Sequence, residues 1–190
     1  MLGSRSTDLR GGFGGLDGRA LAADDRLPLG EAGTPPSVRR PSFPSWWIDV
    51  DDAWTSDRHV LRYLPSGHAA AAALASQAWR AHANSNRQGL RLAGDALPAG
   101  AGDGVSEPVA VGTLQLPPDG QPILLLADAQ TVGGYPRLGH VLACDLGRAA
   151  QLRPGEPVHF EAVSEQQARA LVRDHGHRQA RARLALAQRS

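Results

Sequence analysis

Polar side chains able to hold an amide or an anion gather at three places in this 190-residue chain. The first is Ser85-Asn86-Arg87-Gln88-Gly89-Leu90-Arg91-Leu92. Arg87 and Arg91 can each offer two parallel N–H donors to a carboxylate or phosphate. The same residues also read as a turn built on Asn86 and Gly89 with two surface arginines. The second place is Gln115, followed by Asp119-Gly120-Gln121-Pro122. A glutamine amide donates and accepts, which suits an amide, ureido or lactam group, although on a half-exposed strand it is usually a surface residue. The third is Asp128-Ala129-Gln130-Thr131-Val132-Gly133-Gly134-Tyr135-Pro136, where an apolar run meets an acid, an amide, a hydroxyl, paired glycines and a tyrosine. Gly133 and Gly134 let backbone approach a ligand closely and present N–H groups to an anion. A hairpin-like loop with a packed tyrosine is the plainer alternative.

Familiar catalytic patterns are missing. There is no Gly-x-Ser-x-Gly elbow and no His-Glu-x-x-His, and the glycines of residues 11–18 are followed by no Gly-Lys-Ser/Thr. His175-Gly176-His177 has no third ligand nearby and reads as a surface pair, so no metal is expected. The single cysteine, Cys144, permits no internal disulfide and lies in the apolar run Val141-Leu142-Ala143-Cys144, as a small buried hydrophobe would. A net charge of +1 supplies no field to recruit nucleic acid or an anionic membrane. No stretch approaches the ~20 apolar residues of a bilayer span, and the first residues carry no signal-peptide core. The chain therefore reads as cytoplasmic.

The elements that must position these groups are short. Glycine (22) and proline (14) punctuate the sequence, which favours strands and turns over long helices. Strands are predicted at Trp46–Val50, His59–Leu64, Val109–Leu116, Pro122–Asp128, Leu138–Cys144 and Pro157–Val163. Turns are predicted at Pro117–Gly120 and Pro154-Gly155. The alanine-rich stretch Ala69–Ala83 predicts a helix packed through Leu74, Ala78 and Trp79. Ser164 with Gln167 forms a capping box that opens a final helix, and Arg178–Ser190 reads as a solvated basic tail. Residues 31–45 read as a linker or surface loop. The bunched glycines from Gly11 to Gly18 predict positive φ or close backbone packing. The resulting organisation is one mainly β domain over 1–163, with a C-terminal helix and tail over 164–190.

In series, these motifs resemble those of a known family. Residues 85–94 resemble its "SNR-x-G-x-RL-x-G" element, and residues 112–123 resemble "G-x-x-Q-x-P-x-x-G-x-P-I". Residues 128–136 resemble "D-x-Q-T-x-GGYP", and Gln151–Gly155 the closing "Q-x-x-PG". Residues 2–8, 14–21 and Gly67-His68 resemble further segments. The family comprises the C-type component of 5-oxoprolinase, the second component of allophanate hydrolase and the carboxyltransferase domain of urea carboxylase, with Kip-type regulators among its relatives. The resemblance implies a cyclophilin-like β-barrel with one or two helices, lacking the family's N-terminal portion and so left with unpaired strand edges. It implies one component of an ATP-dependent amide or lactam hydrolase, with ATP and magnesium as cofactors. Its partner in a hetero-oligomer would be a homologue of the B-type component. Alternatives are a biotin-dependent carboxyltransferase acting on a urea-like acceptor, or a non-catalytic regulatory binding module. Within the resemblance, Arg87, Gln115 and Tyr135 would carry catalysis. Asn86, Arg91, Gln121, Asp128, Gln130, Thr131, Gly133 and Gly134 would bind substrate. Ala23-Asp24-Asp25-Arg26-Leu27 departs from the family pattern, standing where a "GD-x-L" is usual.

Overall fold

The computed structural model describes residues 6–9, 11–28, 30, 59–99 and 105–188. The strand expected at Trp46–Val50 and the linker expected over 31–45 lie outside them. The chain divides into two compact units, Met1–Trp47 and Ile48–Ser190.

In the first unit, β1 (Thr7–Asp8) pairs antiparallel with β2 (Phe13–Gly14) ahead of a 3-10 turn at Gly15–Gly18. The glycine prediction holds here: Gly18 has φ +71, and a Cβ on it would lie 2.2 Å from the Gly12 carbonyl oxygen. Downstream, Arg19 clamps Asp25 through two N–H donors at 2.8 and 2.7 Å, and Asp25 also accepts from the Ala22 backbone N–H at 2.7 Å.

The second unit is a closed barrel. Its strands are β3 (His59–Pro65), β4 (Trp79–Ala81), β5 (Gly89–Ala93), β7 (Thr113–Gln115), β8 (Ile123–Leu125), β10 (Arg137–Val141) and β11 (Pro157–Ala162). They run in the spatial order β10-β3-β11-β4-β5-β8-β7, and β7 returns to pair with β10. All neighbours are antiparallel except β3 and β11, which are parallel from Val158↔His59 to Ala162↔Tyr63. A separate two-stranded arm joins β6 (Glu107–Pro108) to β9 (Val132–Gly133). The mainly β expectation holds, but the unpaired barrel edge does not: among the described residues, the seven strands between His59 and Ala162 close the ring.

Alternation fills the barrel. Leu61 and Tyr63 of β3, Leu90 and Leu92 of β5, and Val158 and Phe160 of β11 point inward and are buried. The Tyr63 and Phe160 rings meet edge to face, 6.0 Å apart at 88°. The Tyr63 hydroxyl donates to the Ala71 carbonyl at 2.7 Å, so its polar tip is satisfied inside the core.

The predicted helix over Ala69–Ala83 is not formed. Only Ala72–Ser76 turns, as a 3-10 helix; Gln77 is extended and Trp79–Ala81 joins the barrel. Alanine's helix propensity amounts to tenths of a kcal/mol per residue. Burying the Trp79 indole gains more, about 2–3 kcal/mol. Its Nε1–H also satisfies the Leu74 carbonyl at 2.9 Å. Three strands are shorter than expected: of Pro122–Asp128 only Ile123–Leu125 is strand, with a turn at Ala127-Asp128. Val109–Gly112 is a turn, with Gly112 at φ +96 and Thr113 N–H donating to Ala110 at 3.0 Å. Residues 143–145 form a 3-10 turn leading into α1 (Leu146–Ala149), because Asp145 is drawn inward by Arg62.

The turn at Pro117–Gly120 forms as predicted, with Gly120 at φ +73 and its N–H on the Pro117 carbonyl. The capping box forms too: Ser164 accepts from Gln167 N–H at 3.2 Å, and Gln167 Oε1 accepts from Ser164 N–H at 2.8 Å. The helix it opens, α2, runs Glu165–Ala187 and absorbs most of the expected tail. Alanine, arginine and glutamine are strong helix formers, and Arg178 pairs with Asp174 one turn back at 3.3 Å.

Candidate functional site

The first cluster of polar residues sits at the mouth of a cavity of about 560 Å³. Asn86 and Arg87 occupy the turn between β4 and β5, held by Asn86 N–H on the Gly89 carbonyl at 3.1 Å and Asn86 Oδ1 on the Gln88 N–H at 2.8 Å. The cavity wall is apolar, supplied by Leu90 of β5, Val111, Leu126, and Leu146 and Ala149 of α1. Arg87 is 84% exposed at its side chain and rests on Asp128, Nε to Oδ2 at 3.0 Å and Nη2 to Oδ1 at 3.3 Å. Backbone bonds keep the two together, since Asp128 N–H donates to the Arg87 carbonyl at 3.0 Å. So exposed a pair contributes about 0–1 kcal/mol, and Arg87 can leave Asp128 for an incoming anion at little cost. An apolar chamber with an arginine and an asparagine at its rim suits a small ligand with an anionic or amide end.

The second grouping lies on the outer face of β7. Leu114 points into the core, so Thr113 and Gln115 point away from it. Gln115 is nevertheless only 1% exposed, because the β6–β9 arm covers it. A Cβ on Gly133 would lie 2.4 Å from Gln115 Nε2, so a larger residue there would have to push the amide aside. Gln115 Nε2 has no hydrogen-bond partner among the described residues. Such an orphaned buried donor costs about 1–3 kcal/mol. Directly across the β7–β10 ladder from Gln115 is Arg137, half exposed and ion-paired with Glu107 of the arm. Alongside runs a cleft of about 530 Å³ whose walls include Glu107, Thr113, Arg137, His68 and His140.

The remaining candidates fall elsewhere. Gln121 is engaged with backbone: its Oε1 accepts from Gly94 N–H and its Nε2 donates to the Gly94 carbonyl, both at 3.0 Å. Arg91 points outward from β5, and its backbone exchanges hydrogen bonds with Ser85 Oγ. Gln130 and Thr131 are exposed at the start of the arm, while Gly134 and Tyr135 follow it, with Tyr135 48% exposed. The structure thus joins Asn86, Arg87 and Asp128 in one place and Gln115 and Gly133 in another. Leu146, Ala149 and Arg137 were not singled out by sequence. The Leu146/Ala149 spacing of one helical turn was the available signal for the first two. Arg137 follows the third motif immediately, with nothing in its neighbours to mark it.

Cys144 is partly buried, and Arg62 Nη2 lies 3.6 Å from its sulfur. Burial, with the neighbouring Asp145 carboxylate, outweighs that cation and pushes the thiol up. Among the described residues, no three His, Cys, Asp or Glu side chains converge as a metal site. No described helix is long and apolar enough to cross a membrane.

The sequence profile of the carboxyltransferase domain, subdomain A and B, matches residues 1–162, and the chain belongs to that family. It is 39% identical over 179 residues to the C-type component of 5-oxoprolinase from Haemophilus influenzae, covering 90% of this chain and 54% of that protein. It is 36% identical over 172 residues to the same component from Escherichia coli, covering 88% and 53%. The chain therefore spans about half the length of these relatives. The crystal structure of the K. lactis urea amidolyase matches the fold with a TM-score of 0.60 at 23% identity, over 93% of this chain and 12% of that one.

Proposed function

We propose that the chain is part of a cytoplasmic, ATP-dependent hydrolase of a small amide or lactam, acting with a B-type partner as the C-type component of a 5-oxoprolinase would. The observation that supports this most is the 36–39% identity to two such components, maintained across nearly the whole chain. The site adds chemistry of the right kind. Arg87 would meet the anionic group of the substrate or of its activated form, and Asn86 beside it would orient the carbonyl. The apolar wall of the 560 Å³ cavity would exclude water around them.

Among the described residues no three His, Cys, Asp or Glu side chains converge, but magnesium held with a nucleotide needs only one or two carboxylates beside the phosphates. This reading places ATP hydrolysis in the complex with the B-type partner. The family's own description favours one second reading, a carboxyltransferase domain that receives a carboxyl group from a biotin carried elsewhere.

The test is co-purification of the 190-residue chain with a homologue of the B-type 5-oxoprolinase component, followed by ATP hydrolysis assays with and without 5-oxoproline. A complex whose ATPase is stimulated by 5-oxoproline is the expected result. A complex without stimulation would overturn the hydrolase reading in favour of a regulatory one.

A further inference from the structure

We propose that the β6–β9 arm is a flap over a second binding site, and that lifting it opens a grip formed by Gln115 and Arg137 for a small molecule carrying both a carboxylate and an amide or lactam carbonyl. The ligand class rests on the hydrolase reading above; the grip itself rests on geometry.

In the closed arrangement the arm already imitates such a ligand in part. Its Glu107 places a carboxylate on the Arg137 guanidinium. Its Gly133 lies against Gln115, whose Nε2 is shielded from water and given no acceptor in exchange. Gln115 and Arg137 are cross-strand partners beside a register shift in the β7–β10 ladder, and both meet the arm, Gln115 at Gly133 and Arg137 at Glu107. An amide donor and a guanidinium on one side of the barrel match the two functional groups of a lactam acid. A ligand carboxylate would take the place of Glu107, and its carbonyl would accept from the Gln115 amide.

The arm is built to move. Its strands are two residues long and paired at Glu107↔Gly133 and Pro108↔Val132, where proline offers no N–H. Beyond that ladder, one further backbone bond joins its legs, Val109 N–H to the Thr131 carbonyl at 2.9 Å. Its link to β10 is an ion pair about half open to water on both sides. The adjoining 530 Å³ cleft, lined by Glu107 and Arg137 and also by His68 and His140, has room for the incoming molecule.

The test is isothermal titration of 5-oxoproline into the full chain and its variants, with hydrogen exchange read at the Val109 amide. Glu107→Gln removes the internal competitor and is expected to bind at least threefold more tightly. Arg137→Ala and Gln115→Leu are expected to bind at least tenfold more weakly, and saturating ligand should accelerate Val109 exchange in the wild-type chain. A Glu107→Gln variant that binds no more tightly, or an unaltered Val109 amide under saturation, overturns the proposal, as does failure of both proteins to bind. Binding with this pattern in a chain that supports no ATP turnover would retain the flap site and reject the hydrolase reading. Turnover without the pattern would do the reverse.

Discussion

Arg62 and Asp145, separated by 83 positions in sequence, meet through two side-chain hydrogen bonds, Nε to Oδ2 at 2.8 Å and Nη2 to Oδ1 at 2.6 Å. The Arg62 backbone N–H adds a third at 2.9 Å. Asp145 is 1% exposed, so its charge is stabilised almost wholly by this one residue. The pair fastens the 3-10 turn before α1 to the outside of β3. That places Leu146 and Ala149 on the wall of the Arg87 cavity.

Asp145→Ala is therefore expected to cost about 3 kcal/mol, towards the lower end for stranding one member of a buried pair because Arg62 is partly solvated. Urea denaturation should show it as a lowered midpoint with an unchanged slope. A loss below about 1 kcal/mol would reduce the pair to an ordinary surface bridge.

Trp79→Phe should destabilise by about 1–3 kcal/mol, because it leaves the Leu74 carbonyl without its buried donor. Trp79→Ala should cost about 3–5 kcal/mol through the added cavity. Thermal unfolding of the two variants separates the hydrogen bond from the packing.

Arg87→Ala should leave the melting temperature nearly unchanged, since its pair with Asp128 is exposed. In a complex with the B-type partner it should lower 5-oxoproline-stimulated ATP hydrolysis at least tenfold. Wild-type turnover in this variant would remove Arg87 from the site.

The Arg19 clamp and the Ala22 amide hold the Asp25 carboxyl down to about 2, from an ordinary 3.8. A depressed folded value means that the clamp's contribution is fully present above the ordinary carboxylate range and fades as pH falls through about 2. An NMR titration should show the Ala22 amide shifting with that midpoint. Arg19→Ala should move the midpoint upward.

Much of the barrel was legible because its strands alternate. The inward Leu61 and Tyr63 of β3 and the inward Val158 and Phe160 of β11 mark their faces by period alone. The Pro117–Gly120 turn and the Ser164/Gln167 capping box carry their own local chemistry and form where expected. The Ala69–Ala83 segment misleads because Trp79 gains more in the barrel than alanine gains in a helix. The arm was invisible: two-residue strands have no period, and Glu107-Pro108 gives no sign of pairing with Val132-Gly133. For that reason the burial of Gln115, on an outward-facing strand position, could not be read either. The Arg87 rim was legible as a motif, while its apolar chamber depended on α1, a single turn of four residues, too short to show a helical period.

The parallel pairing of β3 with β11 bears on how this molecule comes into being. β3, first of the barrel strands in chain order, finds one lateral neighbour only after every other barrel strand has been made. On a ribosome, Leu61 and Tyr63 must wait, their apolar surface untended, until Val158 and Phe160 emerge. High contact order of this kind slows folding and lengthens exposure to aggregation. A nascent chain halted before Pro157 should therefore remain an unclosed sheet, dependent on chaperones.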